Sequence, residues 1–245
     1  MKTAVQLYNF RNELREDYRG TLRRIAELGY EGVEFAGNYG DIAPEELAAL
    51  LQELGLECAG TMFKPEELAD PEGIAYRYAA ALNSPAVTIS LMLPDFVAAE
   101  TETADLLRRL GAAAAVHPGL VFSYHNHWRE FAEVGGEPVM YRLLDATDPR
   151  QVFWEPDVCW IVRGGGDPAA AIRRYADRIL QIHLKDIEVP DNAKTTTELG
   201  RGVIDLAAAR AAVAGTGCRW QIVEQDNTRL SPFESAAISL QYLRG

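Results

Sequence analysis

Residues Phe122–Phe131 read FSYHNHWREF, and the interpretation of the whole chain depends on this stretch. A strand-like run, Leu120–Tyr124, leads directly into His125 and His127, and Glu130 follows three residues later. The chain of 245 residues contains only four histidines. Two of them at the end of one predicted strand are either a structural pair or groups that face a common binding point.

The same alternation of strand-like and helix-like segments extends over the full length of the chain. Successive strand-like runs begin about 25–40 residues apart, and each is followed by a helix-like segment, as in a (β/α)8 barrel. A doubly wound sheet, the main alternative, usually has a glycine-rich turn after its first strand, whereas LYNFRNEL follows here. The predicted strands are Ala4–Tyr8, Gly32–Ala36, Glu57–Thr61, Ala86–Leu91, Leu120–Tyr124, Val152–Pro156, Leu180–Leu184 and Trp220–Glu224.

We therefore predict an α/β fold with one domain, a (β/α)8 TIM barrel over residues 1–245. Three helices are predicted to begin at a side-chain cap followed by proline, at Asp70-Pro71, Asp167-Pro168 and Ser231-Pro232. The long polar connection IEVPDNAKTTTELGRGVID, residues 187–205, follows the seventh predicted strand. Long loops at this position of a barrel are often active-site lids.

Composition excludes several classes of function. The net charge of -12 argues against a nucleic-acid partner, which requires a basic face. No apolar run approaches the roughly 18 residues that a membrane helix needs, so no membrane association is expected. Cys58, Cys159 and Cys218 form no CxxC pair, which suits a reducing compartment. The predicted location is cytoplasmic.

Ionisable residues occur where five of the predicted strands end. Side chains alternate between the two faces of a strand, and the catalytic face of a barrel lies at the carboxyl ends of its strands. Buried charges there must pair with one another or with a cation, and carboxylates with imidazoles are common ligands of divalent metals. These residues are Glu34, His125 with His127, Glu155 with Asp157, His183 with Lys185, and Glu224 with Asp226.

Taken singly, several of these residues also have a structural interpretation. His183 is typical of a hydrogen-bonded core histidine, and Glu34 of a partner for a barrel lysine. Tyr8 and Trp160 are typical packing groups. The joint pattern of His, Asp, His and Glu at four successive strand ends favours a metal site. His117 precedes the fifth strand, at the opposite face of the barrel, and is interpreted as structural.

Seven motifs together resemble the xylose isomerase-like barrel superfamily, often called sugar phosphate isomerase/epimerase, over essentially the full length. They are VQLYNFRNEL, GYEGVEFAG, YHNHWREF, EPDVCWIVRGGGDP, IHLKDIE, LGRGVID and IVEQD. The resemblance implies one divalent metal ion (Mn, Mg, Co or Zn) as cofactor. Its ligands here would be His125, Asp157, His183 and Glu224. Many members carry glutamate at the position of His125, and Glu130 is the alternative first ligand.

The resemblance also implies catalytic and substrate-binding residues. His127 matches an acid/base histidine of related dehydratases and lyases, Lys185 matches an electrophilic or proton-transferring lysine, and Glu224 is a second candidate base. Gly200 and Gly202 match a flexible loop that closes over substrate. The residues expected to contact substrate are Tyr8, Glu34, Glu130, Trp160, Asp226 and Arg201.

The predicted function is that of a divalent-metal-dependent sugar isomerase or epimerase, which abstracts a proton next to a carbonyl and passes through a metal-bound enediolate. The alternative is a metal-dependent dehydratase or lyase acting on a keto sugar or an inosose-like substrate. An abasic-site endonuclease and a non-catalytic sugar-binding barrel are further alternatives. The expected partner is a small-molecule sugar or keto sugar. Homo-oligomers that associate through barrel helices are common in such enzymes, but the sequence contains no clear interface signal.

Overall fold

The computed structural model describes residues 1–245 and has eight parallel strands at its centre. The first and last residues of each strand lie within two residues of those of a predicted strand. The predicted α/β fold class is therefore confirmed. The strands are β1 Lys2–Gln6, β2 Gly32–Ala36, β3 Glu57–Met62, β4 Ala86–Ser90, β5 Val121–His125, β6 Val152–Glu155, β7 Gln181–Leu184 and β8 Trp220–Val223.

The strands form a nearly closed barrel. Their order across the sheet is β6-β5-β4-β3-β2-β1-β8-β7, so every neighbouring pair along this row is hydrogen-bonded. The gap between β6 and β7 is spanned by an isolated parallel bridge between Asp157 and His183. There, the backbone N–H of His183 donates to the carbonyl oxygen of Pro156 at 2.9 Å. This topology confirms the TIM barrel prediction.

Helices occupy the connections between the strands. None of them combines the length and the apolar character that crossing a bilayer requires. They are α1 Glu13–Glu16, α2 Tyr18–Leu28, α3 Pro44–Leu54, α4 Ile74–Ala81, α5 Glu100–Ala114, α6 Val139–Asp145, α7 Val158–Arg163, α8 Pro168–Arg174, α9 Leu206–Val213 and α10 Pro232–Arg244.

Two of the three predicted helix caps are present. The side chain of Asp167 accepts a hydrogen bond from the backbone N–H of Ala170, and Ser231 forms a capping box with Glu234. The prediction at Asp70 is wrong, because its carboxylate accepts from the N–H of Glu72 and so stabilises a turn. The helix that follows begins only at Ile74.

The first strand also differs from its predicted range. It ends at Gln6 because the Gln6 side chain accepts from the backbone N–H of Tyr8 at 3.2 Å, which starts a short 3-10 turn over Leu7–Phe10. The fifth strand extends one residue further than predicted and includes His125. His125 therefore has the regular inward orientation of a strand residue, whereas His127 lies in the loop beyond it.

The barrel interior is divided into an apolar part and a polar part. Ala4, Ala59, Trp220 and Ile222 form a small buried cluster of their own, separate from the large core between strands and helices. On β7 and β8 the inward-facing residues include Gln181, His183 and Glu224, since side chains of one face recur every second residue. Polar groups therefore share the barrel interior with this apolar cluster.

Arg178 links the start of strand β6 to the segment that precedes it. Its guanidinium is buried and donates to the carbonyl oxygens of Val152 and Leu144 and to the hydroxyl of Thr147. We expect Arg178→Met to lower the free energy of unfolding by about 3 kcal/mol or more, because buried acceptors lose their donors. Urea denaturation gives this value, with the exposed Arg173→Met as matched control. Equal midpoints for the two variants would contradict the expectation.

Candidate metal centre and active-site cleft

Four residues predicted as ligands meet at the carboxyl ends of β5 to β8. One ligand atom from each of His125, Asp157, His183 and Glu224 lies within 4.8 Å of the others, and all four residues are buried. Nδ1 of His183 is 2.7 Å from Oε2 of Glu224, and Nε2 of His125 is 3.9 Å from Oδ2 of Asp157. These atoms are close enough to share one cation.

The local chain conformation leaves one oxygen of Asp157 directed to this centre. Its Oδ1 accepts from the backbone N–H groups of Cys159 and Trp160 and so caps helix α7. Its Oδ2 is buried and has no hydrogen bond. Nζ of Lys185 forms an ion pair with Oδ2 at 3.0 Å. A buried carboxylate oxygen directed to a cationic partner is also suited to bind a metal ion.

The sequence interpretation missed Asn126, which positions Asp157. The side-chain oxygen of Asn126 accepts from the indole N–H of Trp154 at 2.9 Å and from the backbone N–H of Asp157 at 3.1 Å. Asn126 is fully buried. Its place between the two histidines of the YHNH motif was the available signal.

Negative charge exceeds positive charge around the centre. Lys185 is a fixed protein cation here, and its Nζ lies 3.0 Å from carboxylate oxygens of Asp157, Glu224 and Asp226. Glu34 and Glu155 are buried nearby, and their ion-pair contacts are with histidines only. Five carboxylates against one lysine favour an additional cation, and mixed imidazole and carboxylate donors suit a divalent metal.

Burial of these charged groups close to one another shifts the pKa values of several of them. Burial raises the pKa of Asp157, and burial together with the nearby Glu155 raises that of Glu34 well above its usual range. Burial alone would lower the pKa of His183, but Glu155, Glu34 and Glu224 hold it well above its usual value. Without another cation, the centre therefore retains protons that a metal ion would displace.

His127 lies beside the centre. Its ring centroid is 5.4 Å from that of His125 and 6.1 Å from that of Trp160. Burial, and then the neighbouring His125 and Lys185, lower the pKa of His127 to about 3. Its imidazole is therefore unprotonated near pH 7 and has a ring nitrogen open to a proton.

The centre opens into a cleft of about 870 Å³. His125 and Glu224 reach it from the metal centre, and three residues predicted to contact substrate, Tyr8, Trp160 and Asp226, line it. The indole N–H of Trp160 has no partner in the protein. An apolar wall with a few convergent polar groups is typical of a small-molecule site.

Trp128 is a wall residue that the sequence interpretation did not single out. Its ring lies 5.3 Å from that of Trp160 and contacts the guanidinium groups of Arg129 and Arg163. Its position inside the quoted motif, directly after His127, was the only signal.

Three predicted residues lie away from the cleft. Glu130 is buried and accepts from the hydroxyl of Tyr124 at 2.8 Å and from the backbone N–H of His127 at 2.9 Å. It is not among the four converging ligands, so the geometry favours His125 over Glu130. Glu34 is fully buried beneath the centre. Arg201 pairs with Glu198 and lines a separate hollow of about 200 Å³.

The connection predicted to act as a lid is anchored at its far end. Oδ2 of Asp186 accepts from the backbone N–H groups of Gly200 and Gly202 at 3.0 and 2.9 Å. A Cβ at Gly202 would lie 2.2 Å from Oδ1 of Asp186, so the close approach requires glycine. Only the middle of the connection, at Ala193 and Lys194, reaches the cleft.

The fold and the site define a (β/α)8 barrel with a candidate divalent-metal centre at the carboxyl ends of its strands. The model of the xylose isomerase-like TIM barrel family matches residues 22–245, and the chain belongs to this family.

Two curated relatives are named inosose dehydratase. That of Geobacillus thermodenitrificans (strain NG80-2) is 31% identical over 158 residues, which cover 57% of this chain and 52% of that protein. That of Clostridium beijerinckii (strain ATCC 51743 / NCIMB 8052) is 24% identical over 272 residues, which cover 93% of this chain and 89% of that protein. The chain thus spans about half the length of the first relative.

Three solved structures share the fold. A sugar phosphate isomerase/epimerase from Parabacteroides distasonis has a TM-score of 0.82 at 21% identity, with 100% of this chain and 98% of that chain covered. The probable 3-DHS dehydratase AsbF from Bacillus anthracis has a TM-score of 0.77 at 16% identity, with 100% of both chains covered. The IolI protein with a bound zinc atom has a TM-score of 0.75 at 15% identity, with 99% and 96% covered. At these identities the likeness concerns the fold alone.

Removal of one imidazole tests the metal centre. We expect the purified chain to bind one divalent ion, and His183→Ala to lose it while the fold is retained, because the ring lies between two carboxylates of the centre. Elemental analysis after dialysis measures the metal, and circular dichroism checks the fold. His117→Ala is the matched control, since that ring stacks on Tyr76 and bonds the carbonyl of Pro71. Full metal retention in His183→Ala would exclude it as a ligand.

Proposed function

We propose that the chain is a divalent-metal-dependent dehydratase that removes water from a keto-cyclitol or a related keto sugar. The observation that carries this proposal is the cleft, in which the neutral imidazole of His127 lies beside a four-residue candidate metal centre. Elimination next to a carbonyl requires a proton acceptor and a group that stabilises charge on the carbonyl oxygen. Both are available here.

The named relatives favour dehydration over isomerisation. Both curated proteins described above are called inosose dehydratase. This supports the alternative reading of the sequence better than the main prediction of an isomerase or epimerase. Dehydration, isomerisation and epimerisation share the first step, which is removal of a proton next to a carbonyl. They differ in the step that follows it.

We assign His125, Asp157, His183 and Glu224 as the residues that hold the metal. When bound there, a divalent ion supplies Lewis acidity that stabilises negative charge on the substrate's carbonyl oxygen, a contribution of several kcal/mol. Two imidazole donors favour Zn or Co over Mg, which prefers oxygen ligands. Lys185 is held as an ammonium group by three carboxylates and favours negative charge at the same place.

We assign His127 as the proton acceptor. Its imidazole takes the proton from the carbon next to the carbonyl, and the electron pair of that C–H bond forms a carbon–carbon double bond as the hydroxyl of the adjacent carbon leaves. The leaving hydroxyl takes the proton from His127, so water departs and the imidazole is neutral again. Glu130 accepts from the backbone N–H of His127 and keeps the loop in position.

Glu224, the second candidate base, is better suited to metal binding. Burial acts to raise the pKa of Glu224, but Lys185 and His183 lower it well below its usual range. A carboxylate so strongly stabilised as an anion is a good ligand for a cation.

The remaining alternatives have less support. An abasic-site endonuclease of this fold would need a three-zinc centre, whereas only His125, His127 and His183 lie at this face, and His117 is stacked on Tyr76. A sugar-binding barrel without turnover would hold the same ligand but release it unchanged.

The proposed reaction is tested directly with the metal-loaded chain. We expect an inosose (a keto-inositol) to lose one water, because the cleft combines a proton acceptor with a metal centre; mass spectrometry and ultraviolet absorbance of the unsaturated or dicarbonyl product measure it. A chelator should abolish turnover. A product of unchanged mass would identify an isomerase or epimerase instead. If none of a panel of keto sugars exchanged a proton with deuterated water in the presence of the chain, a binding protein without turnover would be indicated.

His127 should be needed for turnover but not for metal binding. We expect His127→Ala to lower kcat by about 10²–10⁴-fold, because the general base is removed. Metal content should be unchanged, since His127 is not one of the converging ligands. Steady-state kinetics and elemental analysis give the two quantities, and His117→Ala again serves as control. Loss of metal together with activity would show that His127 acts on the centre and not on the substrate.

A further inference from the structure

Two buried carboxylates lie beneath the candidate metal centre. Glu34 and Glu155 are fully buried, and neither lines the cleft. Their ion-pair contacts are with histidines, and neither contacts a lysine or arginine. Burial of a carboxylate without such a partner is costly, so its remaining contacts must stabilise it.

Glu34 contacts the nitrogen of His183 that faces away from the centre. Oε2 of Glu34 lies 2.6 Å from Nε2 of His183. The other nitrogen, Nδ1, faces the candidate ligand Glu224 at 2.7 Å. When Nε2 donates its proton to Glu34, the lone pair of Nδ1 is directed to the centre.

Glu155 has the same relation to His125. Oε2 of Glu155 lies 3.2 Å from Nδ1 of His125, and Nε2 of that ring faces Oδ2 of Asp157 at 3.9 Å. Each of the two imidazoles therefore has a buried carboxylate on the side opposite the centre, and Oε1 of Glu155 also lies 3.4 Å from Nε2 of His183.

Gln181 connects the two carboxylates. Its side-chain amide donates to Oε1 of Glu34 at 2.7 Å and also to Oε1 of Glu155. Gln6 supplies a further amide donor, to Oε2 of Glu34 at 2.7 Å. Gly60 leaves room for this arrangement, because a Cβ there would lie 2.5 Å from Glu34 Oε1 and 2.6 Å from Gln181 Nε2.

This lower group is poorly suited to hold a second metal ion. Glu34, Glu155 and His183 do offer atoms within 4.8 Å of one another. However, the amide hydrogens of Gln181 point to both carboxylates and would repel a cation placed between them.

We propose that Glu34, Gln181 and Glu155 form a carboxylate clamp that orients His183 and His125 for metal binding. The proposal rests on the metal centre of the proposed function and adds positioning residues beneath it. A carboxylate that accepts the N–H of a ligating imidazole fixes the ring and its tautomer and increases the basicity of the ligating nitrogen. Glu34 is therefore a positioning residue and does not contact substrate.

Metal affinity is the quantity that tests the clamp. Cobalt is titrated into metal-free protein against a competing chelator, and the absorption bands of bound Co²⁺ report the ligand geometry. We expect Glu34→Ala and Glu155→Ala each to weaken cobalt binding by about 10–100-fold and to shift the bands. Glu34→Gln should lie between Glu34→Ala and the unsubstituted chain, because its amide oxygen still accepts from His183 but carries no charge.

Two further variants separate orientation from general damage. Gly60→Ala keeps every polar group but forces the contact between Glu34 and Gln181 to shift, so it should also weaken cobalt binding. Glu198→Ala is the matched control, since it removes a buried carboxylate that bonds Ser235 away from the centre. It should bind cobalt as the unsubstituted chain does. Circular dichroism and thermal unfolding of the metal-free variants check that each is folded.

The outcomes distinguish the clamp from the proposed function. Folded clamp variants that bind cobalt with unchanged affinity and spectrum would overturn the clamp while leaving the metal centre and the dehydratase proposal intact. An equal loss in Glu198→Ala would also overturn it, because the effect would then be general. An unsubstituted chain that binds no cobalt would overturn both. Normal cobalt binding without dehydration would overturn only the proposed reaction.

Discussion

The parallel bridge between β6 and β7 is the interaction on which the rest of this site depends. It brings Asp157 and His183 side by side where the barrel closes. A barrel that stayed open at this position would separate the two middle ligands, and no flanking strand could replace them. The hydrogen bond from the His183 N–H to the carbonyl of Pro156 thus serves the fold and the site at once. Barrel closure removes the sheet edge, and here it also completes the ligand set.

Buried charge is the second constraint. The centre combines ionisable groups that would be unstable in an apolar barrel without mutual contacts. Glutamine amides at positions 6 and 181 and the ammonium group of Lys185 supply donors from the protein. They do not balance the carboxylates, and the remaining negative charge favours an added cation at the candidate centre. Stability of the metal-free barrel and metal binding are therefore opposing demands on the same residues.

Residues at different depths of the site are assigned different roles. The carboxylate clamp lies deepest, the four candidate ligands lie above it, and His127 with the tryptophan wall of Trp128 and Trp160 borders the substrate space. In the proposed mechanism, chemistry at the carbonyl depends on deep residues that lie outside the cleft. Differences between relatives in substrate would be expected mainly in the upper residues, because these face the cleft.

The sequence by itself determined the eight alternating strands and helices and the four candidate ligands, because side chains on one face of a strand recur every second residue and barrel sites lie at strand ends. The sequence could not show that Glu34 lies below the cleft, away from the expected substrate contacts. It also could not show whether His125 or Glu130 is the first candidate ligand. Periodicity gives the face of a residue but not its depth along the barrel axis. The tertiary structure alone decided that Arg201 lies in another hollow and that Asn126 supports Asp157. These positions depend on contacts between segments far apart in the chain, which no local pattern records.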